Sequence, residues 1–306
     1  MTLKQLKYFI EIARLRNVTR AAAVLHVSQP SLSRQMQQLE NDLGTKLFVR
    51  SDVGLALTSA GSLLLQRAPA LLEQIRAVQD ELSALSATPM GALHLGLPPS
   101  LFDLVTLPLV RRYCPRFPEV ELCITEGISA HLFDSITAGL LDFAIVSSTE
   151  STATLESRLL LTEQLYLVSA PGDDKDGQPI AVGELADVPL AANQPPNVMR
   201  LLVDDALGEL GKRAQIVVQS SSTRLLSHLA AAGTASTVLA YSAVADLVRQ
   251  RRVSVRPVAG MTVTWMLVHS RQRALTPGVQ ALIDMLFELA AEEQYKGHWR
   301  GVTVLR

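Results

Sequence analysis

Apolar positions repeat with two different periods, and the change from one to the other divides the chain. Leu3, Leu6, Phe9, Ile10 and Ala13 fall on one helical stripe and predict a first helix from residue 3 to about 15. Asn17-Val18-Thr19 interrupts that pattern, and Thr19 is placed to cap a short alanine-rich helix from Arg20 to His26. A third stripe, Leu32, Met36, Leu39 and Leu43, predicts a helix capped by Ser28, carrying Pro30 in its first turn and stopped by Gly44. Its opposite face bears Ser33, Arg34, Gln37 and Asn41, with no acid among them. Two short helices joined by a tight turn, the second armed with such side chains, form a helix-turn-helix arrangement. Serine, arginine and glutamine are the residue types that bond base edges and phosphates. Lys46-Leu47-Phe48-Val49-Arg50, a turn over Ser51 to Gly54, and Leu55-Ala56-Leu57 then predict a two-stranded wing with Arg50 near its tip, beside the phosphate backbone, or else a generic hairpin.

Thr58 can cap a further helix, along which Leu64, Ala68, Leu71, Ile75, Val78, Leu82 and Leu85 recur in alternating steps of four and three. This heptad seam predicts one helix packing along another, here as a dimer seam, against the alternative of a helix packed on its own domain. Pro69 lies inside it and predicts either a kink or lost hydrogen bonds, and residues 86–91 read as a hinge. From residue 90 onward strand-like and helix-like stretches alternate, the signature of an α/β domain. Strands are expected at 92–97, 120–124 and 142–146, with helices from Ser100 through Tyr113 and from Ser129 to Ala138. A crossover at 165–168 leads to a second unit with helices near 197–210, 222–232 and 241–250. A strand at 263–268 returns to the first unit, which a helix from Pro277 to Glu292 closes. The expected organisation is a head over 1–58, a linker over 59–89 and a body over 90–306. Within the body, subdomain I takes 90–162 and 266–306, and subdomain II takes 163–265. A chain that leaves a subdomain and returns places the natural ligand site in the cleft between the halves.

Charge separates head from body. The whole chain carries a formal −1, but residues 1–58 hold eight basic against four acidic side chains. A basic head on an acidic body points to a polyanion partner for the head alone. Cys114 and Cys123 form no metal-ligand set with the scattered histidines and fit a reducing cytoplasm. No apolar signal core opens the chain and no run reaches transmembrane length, so a cytoplasmic location without membrane attachment is expected.

Candidate ligand contacts follow from the expected helix starts. Ser100 and Ser129 each open a helix after a strand, where a hydroxyl and free N–H groups suit an anion or carboxylate; each also reads as a plain helix cap. His131 lies near the second of these, as a contact or a structural residue. Pro196 and Asn197 open a helix of the second unit, and Arg200 reads as a carboxylate partner or as half of a surface ion pair. Ser100 or Ser129 with His131 could also be assembled into a hydrolytic set. However, the chain lacks a Gly-x-Ser-x-Gly elbow, HExxH, a phosphate-cradling glycine loop and a cysteine–histidine cluster. Neither enzyme, metal nor cofactor is expected. A ligand-independent DNA binder would not need so large a body.

The head carries Leu6-x-Tyr8-Phe9, Thr19-Arg20-Ala21-Ala22, Val27-Ser28-Gln29-Pro30-Ser31-Leu32-Ser33-Arg34-Gln35, Leu39-Glu40, Leu43-Gly44, Leu47-Phe48-x-Arg50 and Leu57-Thr58-x-Ala60-Gly61. In these it resembles the LysR-type transcriptional regulators along its whole length. Less specific matches continue in the body at Phe117-Pro118, Glu126-Gly127, 139–144 and 226–233. Gly96 to Ser100 with Glu126 to Leu132 is most similar to the branch containing the nitrogen assimilation control protein. The resemblance implies an α+β chain: an N-terminal winged helix-turn-helix, a long linker helix and a C-terminal two-subdomain α/β effector domain of type 2 periplasmic-binding-protein-like fold. It implies that the third helix enters the major groove, with Arg34 and Gln29 foremost, Ser33 and Gln37 next, and Ser31 on phosphate. Thr19, Arg20, Ser28, Pro30 and Arg50 complete the DNA-facing set. It further implies linker helices paired antiparallel in a homo-oligomer, dimer or tetramer, on double-stranded DNA with inverted half-sites. A small-molecule effector, and RNA polymerase for an activator, are the other partners. Two departures stand out: Asp52 in the wing, which repels phosphate, and Ala240-Tyr241, where the family usually has Leu-Pro or a similar pair.

Overall fold

A computed structural model describes the whole chain except residues 26, 52–53, 85–88, 148–153, 173–174, 272–274 and 306. Asp52 and Leu85 therefore lie outside the described residues, as do the side chains of Arg50 and Leu82. The chain forms two compact units, one centred on Met1–Leu82 and the other comprising Ser83–Ile136 and Leu141–Arg306.

In the first unit α1 (Leu3–Leu15) is held at its start by a reciprocal cap. Gln5 N–H donates to Thr2 Oγ1 at 3.2 Å, and Thr2 N–H donates to Gln5 Oε1 at 2.8 Å. Helix α2 spans Val18–Val24, two residues earlier than the sequence pattern predicts. The cap is Asn17, not Thr19: Asn17 is extended and its Oδ1 accepts the Arg20 N–H at 3.0 Å, which leaves Thr19 inside the first turn. Helix α3 (Gln29–Leu43) has the expected ends, Ser28 as N-cap and Gly44 as C-cap. Leu6, Phe9, Ile12, Ala21, Leu32 and Leu39 form the core of these three helices, and the fully buried Ala21 and nearly buried Ala22 let α2 approach its neighbours.

Strands β1 (Phe48–Ser51) and β2 (Gly54–Leu57) form the antiparallel wing, with the Phe48 ring tilted against the Phe9 ring of α1, their centroids 5.3 Å apart. Helix α4 runs continuously over Ser59–Ala84 and begins under Thr58, whose Oγ1 accepts the Gly61 N–H. Gly61 has no alternative there, since a Cβ would stand 2.1 Å from the Leu47 carbonyl oxygen. The helix continues through Pro69, which has no N–H to donate to the Leu65 carbonyl. Ala68 and Leu72 are buried in the head's core and Leu64 packs against it, whereas Leu71, Ile75 and Val78 are exposed.

The second unit opens with β3 (Gly91–Leu97), α5 (Leu107–Arg116), β4 (Val120–Glu126), α6 (Ser129–Thr137) and β5 (Phe143–Val146). Next come β6 (Leu155–Ser169), β7 (Pro189–Asn193), α7 (Val198–Gly208), β8 (Gln215–Ser220), α8 (Thr223–Ala231), β9 (Thr237–Ala240) and α9 (Ala245–Arg249). The chain closes with β10 (Ser254–Ser270), α10 (Pro277–Tyr295) and β11 (Val302–Val304). The main sheet has the order β11-β6-β10-β5-β3-β4, with β9 added to β6, while β7 and β8 pair in parallel on their own. β3 runs parallel to β4 and β5, as right-handed βαβ crossovers produce.

The long antiparallel pair β6–β10 serves both lobes. Its Met266–His269 end pairs with β5, and β9 adds to Leu165–Val168 near the other end. Both strands exceed their expected lengths, because Glu156, Arg158 and Glu163 break the apolar run in β6. The other difference is at Ser100. It lies in a 3-10 turn (Pro99–Leu101), followed by a π-turn in which Leu107 N–H reaches back five residues to the Phe102 carbonyl, and the regular helix starts only at Leu107. The prolines at 98, 99 and 108 account for this, since none can donate a helical hydrogen bond.

Candidate functional site

On α3, Leu32, Met36 and Leu39 are buried while Gln29, Pro30, Ser31, Ser33, Arg34 and Gln37 are exposed, so the polar face is free along its length. Ser28 is also exposed and accepts the Ser31 N–H at 3.4 Å; Thr19 and Arg20 are exposed on α2. The two acids of α3 are occupied elsewhere. Glu40 Oε1 accepts the N–H groups of Leu47 and Phe48 at 2.9 and 3.4 Å, and Glu40 Oε2 takes Lys46 Nζ at 2.7 Å. Burial pushes its carboxyl up, but Lys46 and these two N–H donors outweigh that and hold it below the usual value. Asp42 pairs with the N-terminal ammonium at 2.8 Å and with Gln38. Glu40 thus clamps the start of the wing to α3, a role that the sequence pattern does not signal. Arg34 and Arg20 are the cations on the exposed faces of α3 and α2.

In the second unit the two lobes enclose a cleft of about 190 Å³. One lobe contributes Ser100, Ser129 and Phe133 with Ser147 from the end of β5; the other contributes Asn193, Pro196, Asn197 and Thr223. Trp265 of β10 lines it as well. Ser129 Oγ accepts the Ser147 N–H at 2.9 Å and lies 3.1 Å from Ser147 Oγ. Asn197 caps α7 by accepting the Met199 N–H at 3.0 Å. Asn193 is buried, and its Nδ2 has no hydrogen-bond partner among the described residues. Among the described residues, no lining side chain is charged.

Four of the six expected contacts, Ser100, Ser129, Pro196 and Asn197, therefore meet at one cavity. Arg200 is turned onto Asp204, 2.7 Å away, and its Nη1 reaches the Asn193 carbonyl at 3.4 Å. It does not line the cleft, and neither does His131, which is exposed. Ser147, Asn193 and Trp265 are missed by reading the sequence because each ends or interrupts a strand whose apolar neighbours dominate the pattern.

A winged helix-turn-helix followed by a two-lobed α/β domain with a cleft defines a DNA-binding regulator with a ligand-type domain. Residues 3–62 match the family model for the bacterial regulatory helix-turn-helix protein, lysR family, and residues 86–291 match the LysR substrate binding domain. The chain belongs to the LysR family of DNA-binding transcriptional regulators. It is 30% identical to the nitrogen assimilation regulatory protein nac of Klebsiella aerogenes over 95% of this chain and 96% of that one. It is 29% identical to the HTH-type transcriptional regulator BbuR of Bordetella bronchiseptica, over 97% and 92%. These likenesses agree with the Nac-like branch read from the residues. In fold it is similar to a full-length OxyR variant from Pseudomonas aeruginosa (TM-score 0.65, 24% identity, 100% and 99% covered). It is also similar to full-length CbnR complexed with its target DNA (TM-score 0.61, 24% identity, 94% and 100% covered).

Among the described residues no helix is long and apolar enough to cross a membrane.

Proposed function

We propose that a small-molecule effector, a small anion or carboxylate, binds in the cleft of the second unit and modulates operator binding or promoter activation. The observation that carries this is a cleft lined by Ser100, Ser129, Ser147 and Asn193, the last with a buried Nδ2 donor that has no partner among the described residues. An unpaired buried donor is costly, and an oxygen-bearing ligand relieves the cost. The cavity, about 190 Å³, bounds the ligand's size. It is a little larger than the roughly 150 Å³ that accommodates a benzene ring, which fits a short-chain or single-ring acid. Without a lining cation, such an acid is held by N–H and O–H donors rather than by an ion pair.

The functional division is a DNA-reading head over 1–58, a linker over 59–89 and an effector domain over 90–306. In this reading Thr19, Arg20 and the exposed face of α3 contact the operator. The exposed Leu71, Ile75 and Val78 of α4 form the seam of a dimer, or of a tetramer, that spans two inverted half-sites in the cytoplasm. RNA polymerase is a further partner if the bound protein activates. The protein has no catalytic role. Calorimetric titration with a panel of sodium carboxylates, each compared with its uncharged amide, tests the cleft. Binding of an acid that Asn193→Leu weakens at least tenfold is expected. A panel in which no acid binds, or in which the variant binds equally well, overturns the effector reading in favour of a ligand-independent regulator.

A further inference from the structure

Glu163 is fully buried in the middle of β6 and accepts four hydrogen bonds, all from neutral donors. Oε1 takes the Ser242 N–H at 2.6 Å and the Trp299 indole N–H at 2.7 Å. Oε2 takes the Trp265 indole N–H at 2.9 Å and the Ser242 hydroxyl at 3.0 Å. Burial, the largest influence, pushes this carboxyl above its usual value, and the four donors act in the opposite direction. A buried carboxylate is expensive to keep, so a single packing role would be served as well by an apolar residue. The donors come from three separate places: the turn after β9, strand β10, and the segment after α10. Both tryptophans of the chain are among them, and one of the two, Trp265, lines the cleft.

The C-terminal segment is joined to the same strand. β11 pairs with β6 at Val302↔Glu163, and the Gln164 N–H donates to the Gly301 carbonyl at 2.8 Å. A Cβ at Gly301 would stand 2.6 Å from Gln164 Cβ and 2.7 Å from the Tyr166 hydroxyl, and φ there is +67°. Only glycine allows the segment to lie this close.

We propose that Glu163 is the positioning residue of the cleft: it fixes the Trp265 ring as a cavity wall and, through Trp299, makes the C-terminal segment part of the ligand-sensing unit. The inference rests on the cleft being the effector site, but Trp265 reports it without any ligand.

The test uses the full chain in a Trp299→Phe background, where all indole emission comes from Trp265. Acrylamide quenching of that emission is compared with Glu163 intact and with Glu163→Gln. Glutamine replaces one acceptor oxygen with an NH2 that faces donors, so the quenching constant is expected to rise at least twofold while circular dichroism stays unchanged. Gly301→Val is made with Trp299 kept, in protein labelled with 5-fluorotryptophan so that Trp265 and Trp299 give separate 19F signals, and is expected to shift the Trp265 signal. If Glu163→Gln does not fold, Glu163→Met carries the test, since it keeps the volume, removes the buried charge and still leaves the indole without an acceptor. Equal quenching in the Glu163 variant and its parent overturns the positioning role. A Trp265 19F signal that Gly301→Val leaves in place overturns the role of the C-terminal segment. Sodium benzoate is the ligand probe: with Glu163 intact it is expected to change Trp265 emission, and its failure to do so counts against the cleft reading alone.

Discussion

Ser129 and Ser147 are joined across one wall of the cleft: Ser129 Oγ accepts the Ser147 N–H at 2.9 Å, and the two hydroxyls are 3.1 Å apart. This contact links the first residue of α6 to the residue after β5, so in the proposed reading a ligand oxygen bound at either hydroxyl would touch a helix and a strand together. Ser129→Ala removes the acceptor of the nearly buried Ser147 N–H, which costs about 1 kcal/mol of stability. It also removes a donor to a bound carboxylate, where a charge-assisted bond contributes roughly 1.5–3 kcal/mol. The expected outcome is a slightly lower unfolding midpoint, acid binding weakened tenfold or more by calorimetry, and operator affinity unchanged without ligand. Equal acid affinity in variant and parent refutes the contact.

Arg34 is exposed on the free face of α3 and contributes nothing to the head's core. Arg34→Ala therefore leaves the circular dichroism spectrum and unfolding midpoint as they are, while operator affinity falls by about 1–3 kcal/mol. The salt dependence tells which contact is lost. A phosphate contact lowers the slope of log affinity against log salt by about one, whereas a base contact relaxes sequence preference and leaves the slope alone. Gel-shift titrations at several salt concentrations on operator and scrambled DNA separate the two. Unchanged retention on the operator refutes the assignment of α3.

Glu40 gives the head an acid dependence whose sign is fixed by its lowered carboxyl. A carboxyl lowered by folding adds stability that is fully present above its ordinary value of 4.5 and is lost as pH falls through the lower folded value. Below that range the Lys46 pair and the bonds to Leu47 and Phe48 weaken together. Glu40→Gln keeps the shape and abolishes this contribution, so the variant is expected to match the parent at low pH and to unfold earlier at neutral pH. Thermal unfolding of both proteins from pH 7 down to about pH 2 measures it. A difference in midpoint that stays constant across this range is the contrary result.

The head is legible in the sequence almost residue by residue because each of its helices carries one local stripe and one local cap. The single error there, Thr19 for Asn17, reflects two good capping residues two positions apart, of which the extended one wins. The body is legible in its alternation but not in its long strands. β6 and β10 carry polar residues whose partners are about a hundred positions away, as Glu163 is from Trp265, and no local window contains both. The cleft was half visible for the same reason. Helix starts point to Ser129 and Asn197, but Ser147, Asn193 and Trp265 enter only through the packing of one lobe on the other. Arg200 was drawn away by Asp204 one turn along its own helix, a pairing available at i,i+4 without any tertiary structure.

On α4 the heptad positions separate into two groups with different fates. Ala68 is buried in the head together with Leu72, one turn further on, which lies outside the heptad series. Leu71, Ile75 and Val78 form the adjoining stripe, with relative exposures of 38%, 39% and 54%. Replacing Leu71 and Ile75 by lysine thus spares the core while placing charges on the seam, where a partner helix would have to desolvate them. The expected result in sedimentation is a folded monomer in place of the native oligomer. Loss of the second head removes the gain from simultaneous binding to two half-sites, so operator affinity drops by roughly a hundredfold or more, with contacts to a single half-site kept. A variant that sediments like the parent moves the self-association surface away from this stripe.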